Sequence, residues 1–405
     1  MTTNPVSDKA PWGAILFLTG IGVITAGQIF KLAPAMPYVG QDLGLTLVER
    51  GWLFSTINVT GALLGVIAGS VVDTFGTRRM LIGALIVIAM TSLLGSQAHT
   101  FATAIGLRVV EGMAILATFA ALPAIIIAIT PPRHRPIALS IWVFFMPVGA
   151  ALATFLGGVA INSYGWRPIW QVTALLSLVA AGLVAYRVRP AAAHPPAGYA
   201  TILSAVLATL RHPPAKGFFL VMLLFAALHG AFIAWLPSFL IDARGMGAAR
   251  AGTVAGLIIV LNVAGNALAG WLLTHGLRYW QVLLIAGAIT LVTGSGMLAP
   301  ALPDTVRILC ALLFSALCGM IPATVYAGVP DMIHDRRFTS TANGLIIQGG
   351  QSGHLLGPPL LAWLVARAGG DWTIGAWLYA TFSLGIILLG VWLRRVEIRE
   401  RSGDG

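Results

Sequence analysis

The chain has 405 residues, 58% of them hydrophobic and only 9% charged, with a mean hydropathy of +0.89. A charged fraction that low cannot cover a water-facing surface, which excludes a soluble protein and leaves lipid to cover much of the exterior. The net charge of +11 would suit a polyanion partner, but its placement along the chain argues for membrane orientation and against nucleic acid.

The first apolar run, 12–36, is longer than a signal-peptide core and enters a polar loop without an Ala-x-Ala site, so it reads as a first membrane span. It carries Gly20, Gly22 and Gly27, then Gln28 and Lys31, and ends at Pro34 and Pro37. An outer loop with Asp42, Glu49 and Arg50 leads to a second span at 51–72, whose Gly61, Gly65 and Gly69 suit close helix packing in lipid. A very short connection follows, containing Asp73, the turn glycine Gly76, and the adjacent Arg78 and Arg79. Glycine permits the tight reversal, and arginines beside a membrane mark its cytoplasmic side.

Spans three and four are expected at 80–97 and 102–129, and a turn with Pro131, Pro132, Arg133 and Arg135 leads to span five at 137–161. The outer turn at 163–170 opens span six, which ends at Arg187 and Arg189. Residues 190–215 are Pro-bracketed and modestly amphipathic, a linker with a short surface helix. Six further spans follow at 216–241, 250–273, 279–299, 306–330, 340–366 and 373–393, before a charged tail at 395–405. The expected units are therefore 1–189, the linker, 216–394 and the tail. On this reading 16 of the 24 Lys and Arg lie on the linker side, six on the other and two within spans, which places both termini in the cytoplasm. Cys310 and Cys318 share one predicted helix, roughly 12 Å apart along it, too far for a disulfide.

The halves repeat. At a shift of 200 residues Pro37 meets Pro237, Asp42 meets Asp242, Arg50 meets Arg250, Gly76 meets Gly276 and Arg78 meets Arg278. At 199, Pro123 meets Pro322 and Pro131 meets Pro330. Asp73 is matched by Leu273 and Arg79 by Tyr279, so the acidic group of the first turn is lost from the second.

The pattern Gly69-x-x-x-Asp73-x-x-Gly76-x-Arg78-Arg79, between spans two and three, resembles motif A of the major facilitator superfamily of secondary transporters. The resemblance implies an all-α membrane fold of twelve helices in two pseudo-symmetric six-helix halves, as the parallel repeat also suggests. It further implies that Gly69, Asp73, Gly76, Arg78 and Arg79 form a gating element. Asp73 is expected to meet the N-terminus of span eleven, near Thr339, Ser340 and Thr341, and so close the cytoplasmic gate.

Charges inside a span are expensive and mark function or pairing. Only Lys31, Arg108 and Glu111 lie deep, all at similar depth, which suggests a cluster between spans one and four. Arg108-Val-Val-Glu111-Gly112 resembles motif B, in which the arginine is implicated in proton handling. Glu111, standing where glutamine is common, becomes the one membrane carboxylate able to carry a proton; the competing reading is a permanent ion pair. Gln28 and Lys31 share a helix face, and two cations against one carboxylate favour an anionic substrate. Snorkelling of Lys31 is the alternative.

The second half offers His229, Asn262, Asn266 and Tyr326, with Gln348, Gln351 and His354 at three-residue steps in span eleven. Gln28, Lys31, Arg108, His229, Asn262, Tyr326, Gln348, Gln351 and His354 are the candidate substrate contacts. Span five, with Pro147, Gly149, Gly157 and Gly158, only partly resembles motif C of family antiporters, since Met146 stands where a glycine is expected. The resulting expectation is a monomeric, proton-coupled transporter of a small organic anion in a bacterial-type inner membrane. A proton–drug antiporter is the alternative and a transporter-like receptor a remote one. No catalytic triad order, metal cluster or phosphate-binding loop is present, so neither enzyme activity nor a cofactor is expected.

Overall fold

Apolar runs of spanning length, with backbone groups that lipid cannot satisfy, leave helices as the economical solution, and helices are what form. The computed structural model describes residues 10–65, 76–188, 209, 211–332 and 336–402, and their regular structure is helical throughout. The first span is Trp12–Phe30 continued as Leu32–Asp42; the second is Leu47–Ser55, one 3-10 turn, then Val59–Leu64. Spans three and four are Thr77–Gly95 and Phe101–Ile129. The fifth is Arg135–Val143 with Phe145–Tyr164, and the sixth is Arg167–Arg187. In the second half the seventh span, Pro213–Ser238, runs on through a π turn to Ala243. The eighth is Ala248–Val260 with Asn262–Thr274, and the ninth Tyr279–Gly296. The tenth is Asp304–Cys318 with Met320–Met332, the eleventh Arg336–Arg367 and the twelfth Gly375–Ser402.

Among the described residues ten helices are long and apolar enough to cross a membrane. The second span is interrupted and its last turns lie outside the described residues, while Gln348, Gln351, Ser352 and His354 dilute the eleventh. The fold is the twelve-helix, two-half arrangement. In the first half the third span packs on the sixth and the first on the fifth; in the second half the ninth packs on the twelfth and the seventh on the eleventh.

Several helices overrun the expected limits, while the ninth stops at Gly296, short of 299. The first continues to Asp42 through both prolines, instead of ending near 36. Pro34 sits in the first turn after a break at Lys31, where it has no N–H to give Phe30. The second begins at Leu47, not 51, because Thr46 and Glu49 form a capping box that lets polar residues start a helix. Hydropathy trims such polar ends; capping does not.

Gly76 opens the third span with φ 82°, and its repeat partner Gly276 has φ 92°. Arg78 Nη2 donates to the Ala185 carbonyl at 2.6 Å, tying the third span to the sixth, and Arg79 is exposed. Gly69, Asp73 and the side chains of Thr339 and Ser340 lie outside the described residues, and with them the expected Asp73 contact and most of the linker. A Cβ on Gly76 would meet nothing within 4 Å, so Gly76→Ala carries only the backbone cost of φ 82° with ψ 126°, about 1–3 kcal/mol. The expected result is a lower unfolding midpoint in detergent; an unchanged midpoint would show that the turn does not need glycine.

We call the side bearing the chain termini the terminal face and the opposite side the distal face. The halves meet where the second span crosses the eleventh and the fifth crosses the eighth. Gly51 abuts Pro358 and Pro359, Gly61 abuts Gln351, and Gly158 lies against Gly252. These crossings lie from the distal face to mid-depth. The terminal-face segments Arg135–Val143 and Asn262–Thr274 pack mainly within their own halves. Among the described residues the contact between halves is thus concentrated from the distal face to mid-depth.

Candidate functional site

The break at Lys31 is where the deep charges converge. Arg108 of the fourth span donates from Nη1 to the Gln28 carbonyl (3.0 Å) and from Nη2 to the Ile29 carbonyl (3.2 Å), beside the interrupted helix ladder. Its Nε donates to the Leu53 carbonyl of the second span. Gly112 lets the fourth span come this close, since a Cβ there would strike the backbone of Ile57.

Glu111 bridges the two cations. Its Oε1 is 3.0 Å from Lys31 Nζ and its Oε2 is 2.9 Å from Arg108 Nη1. Lys31 Nζ also donates to Gln28 Oε1 at 2.6 Å and to Ser92 Oγ at 2.5 Å, so all three ammonium protons have acceptors. Gln28 Nε2 donates to the Thr173 carbonyl and to Ser177 Oγ of the sixth span, both at 2.9 Å. Gln28 and Lys31 are 0% exposed, Glu111 2% and Arg108 3%. Such a network is tolerable in a dry interior because every charge is paired and hydrogen-bonded. With Glu111 ionised the cluster carries one net positive charge. The Lys31–Glu111 contact is short enough for a proton to pass directly between them.

The cluster therefore forms, but inside the wall of the first half. Gln28 and Lys31 turn towards the third and sixth spans, away from the seam between halves. In this conformation the polar atoms of Gln28, Lys31 and Arg108 are all committed to the protein, which does not match the substrate contact expected of them. Sequence reasoning missed Ser92, Trp170, Thr173 and Ser177, which complete the network. Hydroxyl residues spaced four apart in the sixth span were the available sign, but such residues usually only join helices.

The second-half candidates do not gather into one face. His229 stacks on Phe225 at 5.1 Å and meets His354 edge-on at 6.0 Å, between the seventh and eleventh spans. Asn262 donates to the Ser315 carbonyl (3.2 Å) and Cys318 Sγ (3.1 Å), joining the eighth span to the tenth. Gln348 Nε2 donates across the halves to the Ala62 carbonyl at 2.7 Å, and Gln351 fills the space over Gly61. Gln348 and Gln351 thus both face the second span across the halves, while His354 faces the seventh span of its own half. Tyr326 is 43% exposed. Cys310 and Cys318 are free thiols, and among the described residues no group of His, Cys, Asp and Glu could hold a metal.

Twelve spans in two repeated halves, joined from the distal face to mid-depth and carrying a buried ion cluster in one half, define a secondary-transporter architecture. The sequence profile of the Major Facilitator Superfamily matches residues 16–353, and the chain belongs to that family. It is 25% identical to the 3-(3-hydroxy-phenyl)propionate transporter of Escherichia coli over 363 residues, covering 87% of this chain and 86% of that protein. It is 21% identical to the hexuronate transporter of Bacillus subtilis, covering 89% of each. It is 28% identical to a chloramphenicol resistance protein of Streptomyces lividans over 380 residues, covering 89% of this chain and 92% of that one. In fold it resembles a bacterial Spinster homologue solved inward-facing and unoccupied, at TM-score 0.75 and 16% identity, covering 97% and 95% of the two chains.

Proposed function

We propose that this transporter moves a small organic anion, a carboxylate, coupled to protons, in a bacterial-type inner membrane with both termini cytoplasmic. The observation that carries the reading is Glu111, a carboxylate buried between two cations in one half. The terminal face is then the cytoplasmic face, and the conformation described is inward-facing. Substrate sits between the halves, near Tyr326 and the Gln348–Gln351 seam, while Glu111 acts from within the first half without touching it. Opening of the distal crossings and closing of the terminal face would shift the first span against the fourth. Because Arg108 holds the broken first span by its carbonyls, such a shift changes the distance from Glu111 to Lys31 and so its hold on a proton. The relatives named for hydroxyphenylpropionate and hexuronate, both carboxylates, support the substrate class.

Proteoliposomes test this directly. Uptake of a labelled aromatic carboxylate or hexuronate is expected to accelerate when the outside is acid, and Lys31→Met/Glu111→Gln is expected to abolish that acceleration. Uptake indifferent to the proton gradient would overturn the coupling. The chloramphenicol resistance relative supports drug efflux as a second reading. Proton-driven movement of an uncharged or cationic drug, with carboxylates ignored, would establish it instead.

A further inference from the structure

Each half contains a hollow at the same place in the repeat, and the two hollows differ in content. In the first half Leu32, Val39, Ala98, Leu107, Arg108 and Glu111 line a cavity of only about 20 Å³. In the second half Phe232 and Phe239, which match Leu32 and Val39 at the shift of 200, and Arg307, which matches Arg108 at the shift of 199, line a cavity of about 440 Å³. The cause is legible residue by residue. Lys31, which pairs with Glu111 in the first half, is replaced by Ala231, and the tenth span adds the equally small Ala311. These two alanines leave space open between the spans, at a volume typical of small-molecule sites.

The walls and the rim of this pocket differ in chemistry. Phe232, Trp235 and Tyr379, each no more than 3% exposed, line its depth, with Phe239 and Trp372 5.9 Å apart above them. Tyr379, 2% exposed, lines the cavity and meets Phe314 edge-on at 5.4 Å. Arg244, Arg250, Arg307 and Asp304 line the distal end. Asp304 lies 2.5 Å from Arg244 and 3.7 Å from Arg307, and Arg250 has no ion-pair partner among the described residues. Three guanidinium groups against one carboxylate leave the rim doubly positive. Asp242, nearby in sequence, interacts with Arg50 of the other half and does not line the pocket.

We propose that this pocket is a second ligand site, on the distal side of the second half, for an amphiphilic carboxylate with a ring-sized apolar body. The ring enters the aromatic depth and the carboxylate stays with Arg307 and Arg250 at the rim. The site lies within one half and off the seam. It is open while the seam is shut at the distal face, and it stands whether or not the central path carries anions.

The test is calorimetric titration of 2-naphthoate into the full-length protein in phosphatidylcholine nanodiscs, with empty nanodiscs as the blank. Saturable binding is expected, with the uncharged 2-naphthalenemethanol about ten-fold weaker or worse for want of the charge-assisted bonds. Arg307→Gln should weaken 2-naphthoate about ten-fold, and Ala311→Phe, which fills the depth, should remove the site. Ala243→Trp, at an exposed lining position, blocks the mouth without touching the core should Ala311→Phe fail to fold. Lys31→Met/Glu111→Gln should leave this binding intact, which separates it from the coupling cluster. Equal affinity for the alcohol, or wild-type binding in both filled variants, would overturn the proposal. Repeating the titration in phosphatidylglycerol nanodiscs distinguishes the source of the anion. Unchanged affinity supports a soluble carboxylate, and competitive weakening would overturn that in favour of a lipid headgroup.

Discussion

Glu111→Gln lowers the unfolding free energy of the purified protein by about 3–5 kcal/mol, the cost of leaving buried cations without their counter-charge. The amide keeps the shape of the carboxylate but removes its charge, so the cluster goes from one net positive charge to two in a site that water does not reach. Lys31→Met/Glu111→Gln is expected to recover most of the loss. It returns the cluster to a single positive charge, and Arg108 keeps the carbonyls of Gln28, Ile29 and Leu53. Arg108→Met should fare worse than Lys31→Met, because it also releases those three carbonyls at the break in the first span. Denaturant or thermal unfolding in detergent reads all four variants. A Glu111→Gln protein as stable as wild type would mean that Glu111 is already protonated, and the ion-cluster account would fall with it.

Gly158→Leu is expected to push the distal face open. A Cβ at Gly158 would lie 2.7 Å from the Gly252 Cα and 2.8 Å from the Ala248 carbonyl, both backbone atoms that cannot rotate away. The side chain therefore acts on the crossing of the fifth and eighth spans and not on a rotamer. Overpacking costs about 1–3 kcal/mol, and 2 kcal/mol shifts a two-state equilibrium about 30-fold. The cost falls only on the conformer closed at the distal face. Spin labels on the distal ends of the fifth and eighth spans should report longer distances, and transport should stop. Gly149→Leu in the same helix serves as the control, since its contacts are Ala26 and the Val23 carbonyl within its own half. Unchanged distal distances in Gly158→Leu would show that this crossing does not hold the gate.

The sequence alone determined the class of fold and the depth of its charges. Lipid imposes long apolar runs, tight turns need glycine, and a duplicated half repeats its turns in register, so all three are written locally. The turn at Gly76, its echo at Gly276 and the coincidence in depth of Lys31, Arg108 and Glu111 are therefore legible in the order of the residues. Direction is not. Whether a polar side chain faces the seam, its own half or a neighbouring helix depends on rotation about helix axes, which packing between spans distant in sequence sets. Thus Gln28 and Lys31 share a face as expected, yet that face turns to Ser92, Thr173 and Ser177. Asn262 joins helices, and Gln348 reaches across the halves to Ala62. The hollow in the second half was out of reach for the same reason. It exists because small side chains from different spans, Ala231 and Ala311, face one another, and only the tertiary fold brings them together.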